Sequence, residues 1–414
     1  MHNYEEEIKR CLNCLNKPCK QACPLGNDIP RIVVLMKEDK LREAYEVLSE
    51  TTVLPAICSK ICPHDKQCKK NCTLKFKGQA LNVGDIEFLL AEVANKNDWK
   101  LPMLDNSLKN RKIAVIGSGP SGLTAAAFLA RYGADVSIFE KREKLGGVLM
   151  YGIPEFRLEK DFLQNTLERL IRDLNIKVFL NQKYGEDINY EFLNENYDAI
   201  FFGMGANKSK MMGIPGEKLN GVYGGNELLE YDSHPDYTNK VVYVSGGGNV
   251  AVDTARVIKR RGAKRVTIVY RRSETEMPAD IKEIEEAKKD GVEFVFNTNV
   301  VKILGDTKVE KIECVKTKYN EEKQLINVEK SNFELAADCF VMSIGSIVDN
   351  TSFTNGEVEI NKFGKVLIDE NMKTSSEKIF AAGNLVSDNS SAAMAARSGR
   401  DAAEKIKSFL VEKY

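Results

Sequence analysis

The sequence predicts an α/β protein that contains two βαβ units preceded by an all-α module. Two glycine signatures, GSGPSG at 117–122 and GGGNVA at 246–251, each follow a short apolar strand and open a helix. Eight of the ten cysteines lie within the first 72 residues. This uneven distribution indicates that the N-terminal region is a module with its own chemistry.

Composition favours a globular protein of several domains and excludes some functions. The chain has 414 residues, of which 43% are hydrophobic and 29% are charged. Lys plus Arg and Asp plus Glu balance at 60 each, so the overall charge predicts binding to neither nucleic acid nor membrane. The polar N-terminus lacks the apolar core of a signal peptide, and no apolar run is long enough to span a bilayer. We expect a cytoplasmic protein, in which the cysteines are not structural disulfides.

The N-terminal cysteines form two groups, carried by helices predicted over 29–48 and 85–95. The groups are Cys11, Cys14, Cys19 and Cys23, then Cys58, Cys62, Cys68 and Cys72. Short spacings with a Cys-Pro step are typical of ferredoxin-type loops that hold iron–sulfur clusters. Zinc is the alternative, but zinc sites usually show repeated CxxC pairs and this region has one. His64 could be a zinc ligand, although we expect a solvated loop histidine.

The first βαβ unit has the features of a dinucleotide site. Strand 113–116 leads into Gly117-x-Gly119-x-x-Gly122, and a helix follows to Arg131. Glycines permit the tight turn and close approach to a pyrophosphate, while the helix N-terminus offers free N–H groups. The second strand ends in Glu140, placed to accept hydrogen bonds from a ribose diol. Gly146 and Gly147 then let the backbone approach a cofactor.

The second βαβ unit differs at the position that distinguishes cofactors. Strand 241–244 leads into Gly246-x-Gly248-x-x-Ala251 and a helix over 250–260. The next strand, 265–269, is followed by Arg271 and Arg272 where the first unit has its acid. An acid favours the bare ribose of NAD or FAD, whereas arginine favours the 2′-phosphate of NADP. The alternative for both arginines is a solvated loop.

Two later segments indicate how the domains are arranged. The stretch 338–345 is a strand followed by glycine, like the strand that ends near Ala206. The chain then returns through 379–384 to a helix over 392–410, whose N-terminus we expect to point at the first cofactor. The prediction is a helical domain over 1–105, a discontinuous first nucleotide domain over 106–215 and 342–414, and a second over 216–341.

An FAD-type fold followed by an NADP-type fold predicts a flavoprotein that transfers hydride between nicotinamide and flavin. This chemistry requires no general acid or base, so no catalytic residue is predicted. Disulfide reductases share the double fold but need a redox cysteine pair near the flavin. The stretch 146–151 contains no cysteine, and Cys314 and Cys339 are isolated.

Five ordered motifs resemble those of a known family. The cysteines from Cys11 to Cys72, GSGPSG, GGVLMYGIPEFRL, GGGNVAVD and YRRSETEMPA resemble the small (β) subunit of NADPH-dependent glutamate synthase. The same architecture occurs in the electron-input half of dihydropyrimidine dehydrogenase and in the large subunit of electron-bifurcating NADH-dependent ferredoxin:NADP oxidoreductase. The resemblance covers essentially the whole chain.

The resemblance implies a glutathione-reductase-like fold: two dinucleotide-binding domains preceded by an all-α iron–sulfur domain. Its implied cofactors are FAD, NADP(H) and two [4Fe–4S] clusters. One cluster would be held by Cys11, Cys14, Cys19 and Cys72. The other would be held by Cys23, Cys62 and Cys68, with Glu87 at the position of a family glutamine and Cys58 as the alternative ligand.

The implied partner is a large catalytic subunit that contains FMN, and the alternative is a stand-alone diaphorase or an interaction module. One motif departs from the family, because Gly383-Asn384 replaces Gly-Asp. Asparagine still accepts a hydrogen bond from the ribityl chain, but without the charge. The residues predicted to bind the two nucleotides are Gly117, Ser118, Gly119, Pro120, Ser121, Gly122, Glu140, Lys141, Gly146, Gly147, Arg157, Gly205, Gly246, Gly248, Asn249, Val250, Ala251, Arg271, Arg272, Gly345, Gly383 and Asn384.

Overall fold

A computed structural model describes residues 4–353, 356–388 and 391–413. The chain forms two compact units. The first contains the described residues of Met1–Met150, Glu155–Ala206 and Val348–Tyr414, and the second contains Tyr151–Pro154 and Asn207–Ile347. The division into three domains stays a prediction, since the helical module and the first nucleotide fold belong to one unit.

The N-terminal module is helical, and its helices pack around an apolar core that includes Ile32, Leu48 and Leu90. Its helices are α1 (Tyr4–Arg10), α2 (Pro18–Ala22), α3 (Ile29–Lys37), α4 (Leu41–Ser49), α5 (Pro55–Ile61) and α6 (Val83–Lys96). The continuous helical periodicity over 29–48 is divided between α3 and α4. Asp39 adopts a left-handed φ of 58°, which ends α3 and separates it from α4.

The first nucleotide fold begins after this module. Its elements up to the end of the first segment are β1 (Lys112–Ile116), α7 (Pro120–Arg131), β2 (Asp135–Glu140), α8 (Val148–Tyr151), α9 (Lys160–Asp173), β3 (Lys177–Leu180), α10 (Tyr190–Asn196) and β4 (Ala199–Phe202). The strands are short, and β1, β2 and β4 are almost fully buried, as expected for a parallel sheet that is covered on both faces.

The second unit has its own parallel sheet and an antiparallel sheet. Its elements are β5 (Lys208–Ser209), β6 (Val222–Gly224), α11 (Gly225–Tyr231), β7 (Val241–Ser245), α12 (Asn249–Arg260), β8 (Arg265–Val269), α13 (Ile281–Lys289), β9 (Glu293–Val295), β10 (Thr298–Leu304), β11 (Lys311–Tyr319), β12 (Leu325–Asn327), β13 (Phe333–Ala336), β14 (Cys339–Met342) and β15 (Ser346–Ile347). The parallel order is β6-β14-β7-β8-β9. Strand β15 pairs with β5, and both strands lie in the longer segment of this unit, Asn207–Ile347. The predicted bounds of 216 and 341 for the second nucleotide domain stay a prediction.

The chain then returns to the first unit through β16 (Ile379–Ala381) and α14 (Ala392–Lys413). Strand β16 completes a five-stranded parallel sheet in the order β16-β4-β1-β2-β3. Strand order reverses beside β1 in this sheet and beside β7 in the other, and such crevices at the carboxyl ends of strands are where nucleotides bind. Among the described residues, no helix has the length and apolar character needed to cross a membrane.

Candidate functional site

The turn after β1 is sterically restricted to glycine at two positions. Gly117 has a φ of 94°, and a Cβ atom on it would lie 2.8 Å from the carbonyl oxygen of Gly203. A Cβ atom on Gly122 would lie only 1.9 Å from the carbonyl oxygen of Gly117. Gly119 is different, because a Cβ atom there would meet no protein atom within 4 Å. Protein packing explains the first and third glycines, and the second faces open space where a ligand would approach.

The N-terminus of α7 begins at this turn. Gly119 precedes the helix, Pro120 occupies its first turn, and no side chain caps it. The first N–H groups of a helix have no intrahelical acceptor, and they carry the positive end of the helix dipole. Ser121 lies in this first turn, and its buried hydroxyl has no hydrogen-bond partner among the described residues. The turn is therefore suited to an anionic pyrophosphate.

Ser118 joins three segments of the first site. Its N–H and hydroxyl both donate to Glu140 Oε2, over 2.9 and 2.6 Å. The N–H of Arg142 donates to Glu140 Oε1 over 3.0 Å, and the N–H of Gly146 donates to Ser118 Oγ over 3.1 Å. The carboxylate of Glu140 thereby holds the glycine turn against the end of β2. The Glu140 carboxylate keeps further lone pairs, which can accept hydrogen bonds from a ribose diol. The contact between Glu140 and ribose stays a prediction.

The two later glycine segments approach the same turn. Gly147 has a φ of 52°, and a Cβ atom on it would lie 2.8 Å from the Cα atom of Gly119. Gly383 has a φ of 71° and lies beside the side chain of Ser121. The Oδ1 atom of the next residue, Asn384, is buried without a hydrogen-bond partner in the described part of the chain. Buried polar atoms are normally hydrogen-bonded. The unpaired oxygen atoms of Ser121 and Asn384 therefore indicate that a polar ligand binds beside them.

The remaining residues predicted for this site lie at its edges. Lys141 is exposed immediately after Glu140, and Arg157 is half-buried ahead of α9. Gly205 follows β4 with a φ of 71°. Their contact with a cofactor stays a prediction.

Sequence reasoning missed Gly399, which lies inside α14. A Cβ atom on Gly399 would lie 2.1 Å from the carbonyl oxygen of Ser121, so glycine lets α14 pack directly on the first turn of α7. Glycine in a helix interior is destabilising relative to alanine unless packing requires it. An isolated glycine in the strongly helical stretch 392–413 was the signal that could have identified it.

The second glycine turn repeats this geometry in the second unit. Gly246 has a φ of 142°, and a Cβ atom on it would lie 2.2 Å from the carbonyl oxygen of Ser343. Ala251 is fully buried where the first turn has its third glycine. Gly248 faces open space, like Gly119 in the first turn. It precedes α12, whose first turn contains Asn249 and the half-buried Val250 and has no side-chain cap.

Residues around this second turn hold its shape. Asn249 Oδ1 accepts a 2.8 Å hydrogen bond from the N–H of Asp280, which fixes the loop that leads into α13. Gly345 follows β14 with a φ of 130°. Ser343, which the sequence analysis did not identify, has a buried hydroxyl without a hydrogen-bond partner among the described residues.

Arg271 and Arg272 follow β8 in a loop with a fixed backbone. The carbonyl oxygen of Arg271 accepts a 2.7 Å hydrogen bond from Thr317 Oγ1, and that of Arg272 accepts from the N–H of Asn297 over 3.1 Å. The Arg271 side chain is exposed, whereas Arg272 is half-buried and its Nε has no hydrogen-bond partner in the described part of the chain. A fixed backbone with an uncommitted guanidinium donor suits recognition of a phosphate.

A second contact shapes the same loop. Ser273 and Glu276 form a reciprocal capping box, in which the Ser273 hydroxyl donates to Glu276 Oε2 over 2.6 Å. Tyr319 also donates to the Glu276 carboxylate. These donors, Ser273 first, lower the pKa of Glu276, so its carboxylate is held ionised beside the arginines.

The structure brings Cys11, Cys14, Cys19 and Cys72 together around one small cavity. Cys14 Sγ donates to Thr73 Oγ1 over 3.2 Å, which joins the first cysteine loop to the segment after Cys72. The pKa of Cys19 is raised to about 11, mainly by burial and to a smaller extent by the neighbouring thiols of Cys11 and Cys72. Four thiols around one apolar cavity, two of them with a raised pKa, fit a cationic group that binds thiolates.

Cys23, Cys62, Cys68 and Glu87 form the second group. Burial is the main reason that the pKa of Cys23 is raised, and the Glu87 carboxylate raises it further. Burial is also the main reason that the pKa of Cys68 is raised, and the Glu87 carboxylate is the second. Glu87 is buried on α6, and burial raises its pKa to about 7. The ligand sets implied by the resemblance are thus adjacent in space, although their role as cluster ligands stays a prediction.

Cys58 and His64 lie at the border of the second group. Cys58 is buried on α5, and its side chain is hydrogen-bonded to that of Cys62. His64 was predicted to be a solvated loop residue, and this is wrong. Its Nδ1 is 3.4 Å from Cys68 Sγ and its Nε2 is 3.2 Å from the carbonyl oxygen of Ser59, because the short helical turn over 64–66 folds back on α5. Among the described residues, no three His, Cys, Asp or Glu side chains converge closely enough to hold one metal ion.

Comparisons with known families match the two parts of the chain separately. Residues 111–399 match the family of pyridine nucleotide-disulphide oxidoreductases. Residues 1–99 match dihydropyrimidine dehydrogenase domain II, which is described as a 4Fe-4S cluster domain. The first match spans more than half of the sequence, and the second covers all eight N-terminal cysteines.

Comparisons with individual proteins extend over nearly the whole chain. The small chain of glutamate synthase [NADPH] from Halomonas elongata is 34% identical over 426 residues, which cover 98% of this chain and 90% of that protein. The small chain from Escherichia coli K12 is 33% identical over 429 residues, with coverages of 98% and 91%. Among solved structures, FprA of Mycobacterium tuberculosis in complex with NADPH superposes with a TM-score of 0.64 at 21% identity, covering 72% of this chain and 84% of that one. That last likeness shows the fold.

The open positions at Gly119 and Gly248 generate a paired prediction. Because a Cβ atom at either residue meets no protein atom, Gly119→Ala and Gly248→Ala should fold with a thermal midpoint close to that of the parent chain. Gly119→Ala should lose flavin during gel filtration, and Gly248→Ala should retain flavin but show a KM for NADPH raised about tenfold or more, since about 1.4 kcal/mol of lost contact gives that factor.

Each variant serves as the control for the other. Flavin absorbance, thermal unfolding and steady-state NADPH oxidation with ferricyanide measure the three properties. Flavin loss from both variants, or from neither, would contradict the assignment of the two turns to different cofactors.

Proposed function

This chain belongs to the pyridine nucleotide-disulphide oxidoreductase family and, within it, to the small chains of glutamate synthase, and we propose that it delivers electrons from NADPH to a large catalytic subunit in the cytoplasm. It is an NADPH-dependent FAD oxidoreductase with a 4Fe-4S domain. The proposal adds that the N-terminal module holds two [4Fe–4S] clusters, with the ligand sets described above. When bound, nicotinamide and flavin supply hydride transfer, and iron–sulfur clusters supply transfer of single electrons.

The residues of the chain bind and orient these groups. The α7 N-terminus and Gly119 would hold the flavin pyrophosphate, and Glu140 would hold the ribose. Asn384 would accept from the ribityl chain through its uncommitted Oδ1 atom. The α12 N-terminus and Gly248 would hold the NADPH pyrophosphate. No side chain is assigned the role of general acid or base, because neither transfer requires one.

The observation that carries the proposal is the position of α14. Gly399 of α14 touches the first turn of α7, and one turn or two earlier Ala393 and Ala396 pack against Cys58. Cys23 and Cys62 pack against the same small cluster. One helix therefore contacts both the predicted flavin turn and the second cysteine group. Cys11, Cys19 and Cys72 of the first group pack instead against the apolar core of the helical module, which also includes Cys68 of the second group. The cysteines that share an apolar cluster with α14 are therefore Cys23, Cys58 and Cys62.

The surface around the first cysteine group suits a protein partner. Leu15 and Phe76 are almost fully exposed, and Leu12 is half-exposed. Leu12 and Leu15 flank Cys14, and Phe76 lies on the short helical turn Thr73–Lys77, which the Cys14–Thr73 hydrogen bond joins to the first cysteine loop. Exposed Lys75 and Lys77 flank Phe76. Exposed large apolar side chains on linked segments are typical of interaction sites, so we infer that Leu12, Leu15 and Phe76 form the partner face and that the partner is acidic around its apolar contact.

The large subunit of a glutamate synthase is the partner that the names of the relatives favour, and we propose that its acceptor is FMN. The second candidate is a dihydropyrimidine-reducing subunit, favoured by the match of residues 1–99 to dihydropyrimidine dehydrogenase domain II. The two candidates differ in the reaction that the large subunit restores and not in the chemistry of this chain.

The coenzyme preference tests the role of the two arginines. The double variant Arg271→Ala/Arg272→Ala should raise the KM for NADPH by about a hundredfold or more and leave the KM for NADH nearly unchanged. Charge-assisted hydrogen bonds to the 2′-phosphate are worth roughly 1.5–3 kcal/mol each, and NADH has no such phosphate. Steady-state oxidation of each coenzyme with ferricyanide measures both constants.

The matched control is Arg172→Ala, which removes an exposed arginine on α9 whose contact is with the neighbouring Asp173. This variant should change neither constant. An equal loss with both coenzymes, or a preference of the parent chain for NADH, would show that the 2′-phosphate is not recognised here.

The partner face yields a second prediction. Leu15→Ser/Phe76→Ser should reduce ferricyanide with NADPH at the rate of the parent chain, since neither residue belongs to a nucleotide site. Glutamate formation from glutamine and 2-oxoglutarate with limiting co-expressed large subunit should fall at least tenfold, because truncating one or two interface anchors typically costs more than about 1 kcal/mol each.

Phe363→Ser is the matched control, since Phe363 is also exposed beside a lysine, Lys362, but lies outside the helical module. It should leave both rates unchanged. Normal glutamate formation by the double variant would show that Leu15 and Phe76 do not contact the large subunit. Glutamate formation by this chain without a large subunit would contradict the proposed division of the reaction between two subunits.

A further inference from the structure

Glu87 is a buried carboxylate without a cationic neighbour. Its side chain lies on α6 among the thiols of the second cysteine group, and Glu87 is only 4% exposed. In the described part of the chain, neither lysine nor arginine forms an ion pair with it. A buried carboxylate is costly unless it is hydrogen-bonded, paired or bound to a metal. The contacts that hold it are therefore informative.

Asn27 is the residue that holds this carboxylate. Its Nδ2 donates a 2.7 Å hydrogen bond to Glu87 Oε1, across 60 positions of sequence. Asn27 is itself buried, with 1% of its surface exposed, and it precedes α3 in the loop that follows Cys23. One oxygen of Glu87 is thus fixed by a neutral donor. The bond leaves the other oxygen of the carboxylate for a different partner.

Thr51 fixes the orientation of the Asn27 amide. The Thr51 hydroxyl donates to Asn27 Oδ1 over 2.6 Å, so the oxygen of the amide faces Thr51 and its NH2 group faces Glu87. The opposite orientation would place an amide oxygen against a carboxylate oxygen and would leave the Thr51 donor facing an NH2 group. The hydrogen-bond network therefore determines the direction in which Asn27 donates.

The Thr51 backbone is in turn held by α14. Arg400 Nη1 donates to the carbonyl oxygen of Thr51 over 3.1 Å and to that of Leu25 over 2.8 Å. Leu25 and Thr51 flank the Asn27 interaction on the two segments that carry it. A continuous series of contacts therefore runs from α14 through Thr51 and Asn27 to Glu87.

We propose that Asn27 and Thr51 are positioning residues that aim the free oxygen of Glu87 at the iron–sulfur cluster of Cys23, Cys62 and Cys68, in preference to the thiol of Cys58. This inference rests on the proposed function, which places a second cluster at these residues. The hydrogen bond also has an electronic effect. Reduction adds negative charge to a cluster and its ligands, and an N–H donor directed at a ligand stabilises that charge. Asn27 thus raises the reduction potential of this cluster.

The test compares three variants of the full chain with the parent. Asn27→Leu removes the donor at similar size, and Thr51→Val removes only the hydroxyl that orients the amide. Ser49→Ala is the control, because Ser49 is equally buried and its hydroxyl donates to the carbonyl oxygen of Tyr45 within α4. Iron and sulfide are assayed first. Mössbauer spectra on enriched iron and EPR-monitored redox titrations with dithionite then follow each cluster.

The parent chain should show one iron that differs from the thiolate-ligated irons, as an oxygen ligand requires. Asn27→Leu should lose or alter that iron signal and shift the potential of one cluster to a more negative value, with the other cluster unchanged. Thr51→Val should shift the same cluster in the same direction by a smaller amount, and Ser49→Ala should shift neither.

The outcomes separate this inference from the proposed function. A parent chain without a second cluster would refute the proposed function itself. A parent chain with both clusters, whose signals and potentials stay the same in Asn27→Leu and Thr51→Val, would overturn the positioning role. If Asn27→Leu fails to retain the cluster, Thr51→Val decides: a shifted potential supports the role, and an unchanged potential overturns it.

Discussion

The packing of α14 against α7 is the contact on which the first unit depends. It requires small side chains, since Gly399 lies against the carbonyl oxygen of Ser121 and Ala402 and Ala403 are completely buried nearby. A side chain at position 399 would separate the two helices and move the first turn of α7. That turn holds the N–H groups predicted to bind the flavin pyrophosphate. The last helix of the chain therefore sets the geometry of a site formed by the middle of the chain.

The same helix also connects the nucleotide fold to the cysteine module. Arg397 and Arg400 donate to the carbonyl oxygens of Pro24 and Leu25, which directly follow Cys23. Arg131, on α7, is fully buried and donates to the carbonyl oxygens of Ser49 and Pro102 over 2.7 Å each. Hydrogen bonds from a charged donor contribute more than neutral ones, and a buried guanidinium is retained only when such acceptors are present. These arginines account for the helical module and the first nucleotide fold forming one compact unit.

Local sequence was sufficient for the glycine turns and insufficient for the contacts between distant segments. Gly117, Gly122 and Gly246 were predicted from the glycine spacing between a strand and a helix, and in the structure a Cβ atom at each would collide with nearby backbone. The links from Asn27 to Glu87 and from Ser118 to Gly146 join residues 60 and 28 positions apart, and no periodicity reports such pairs. His64 was misjudged for a different reason, since its partners Ser59 and Cys68 are close in sequence but meet its ring only when the turn over 64–66 folds back on α5. The spacing of the cysteines left cluster and zinc open, and their grouping followed from the resemblance rather than from the spacing.

The central claim is that one chain carries a flavin and two iron–sulfur clusters between NADPH and a partner. The most direct measurement is the content of iron, acid-labile sulfide, zinc and flavin in protein purified without oxygen. Two four-iron clusters predict roughly eight iron and eight sulfide per chain, together with one FAD and no stoichiometric zinc. Zinc in place of sulfide, or about four iron per chain in protein that is fully loaded with flavin, would contradict the account.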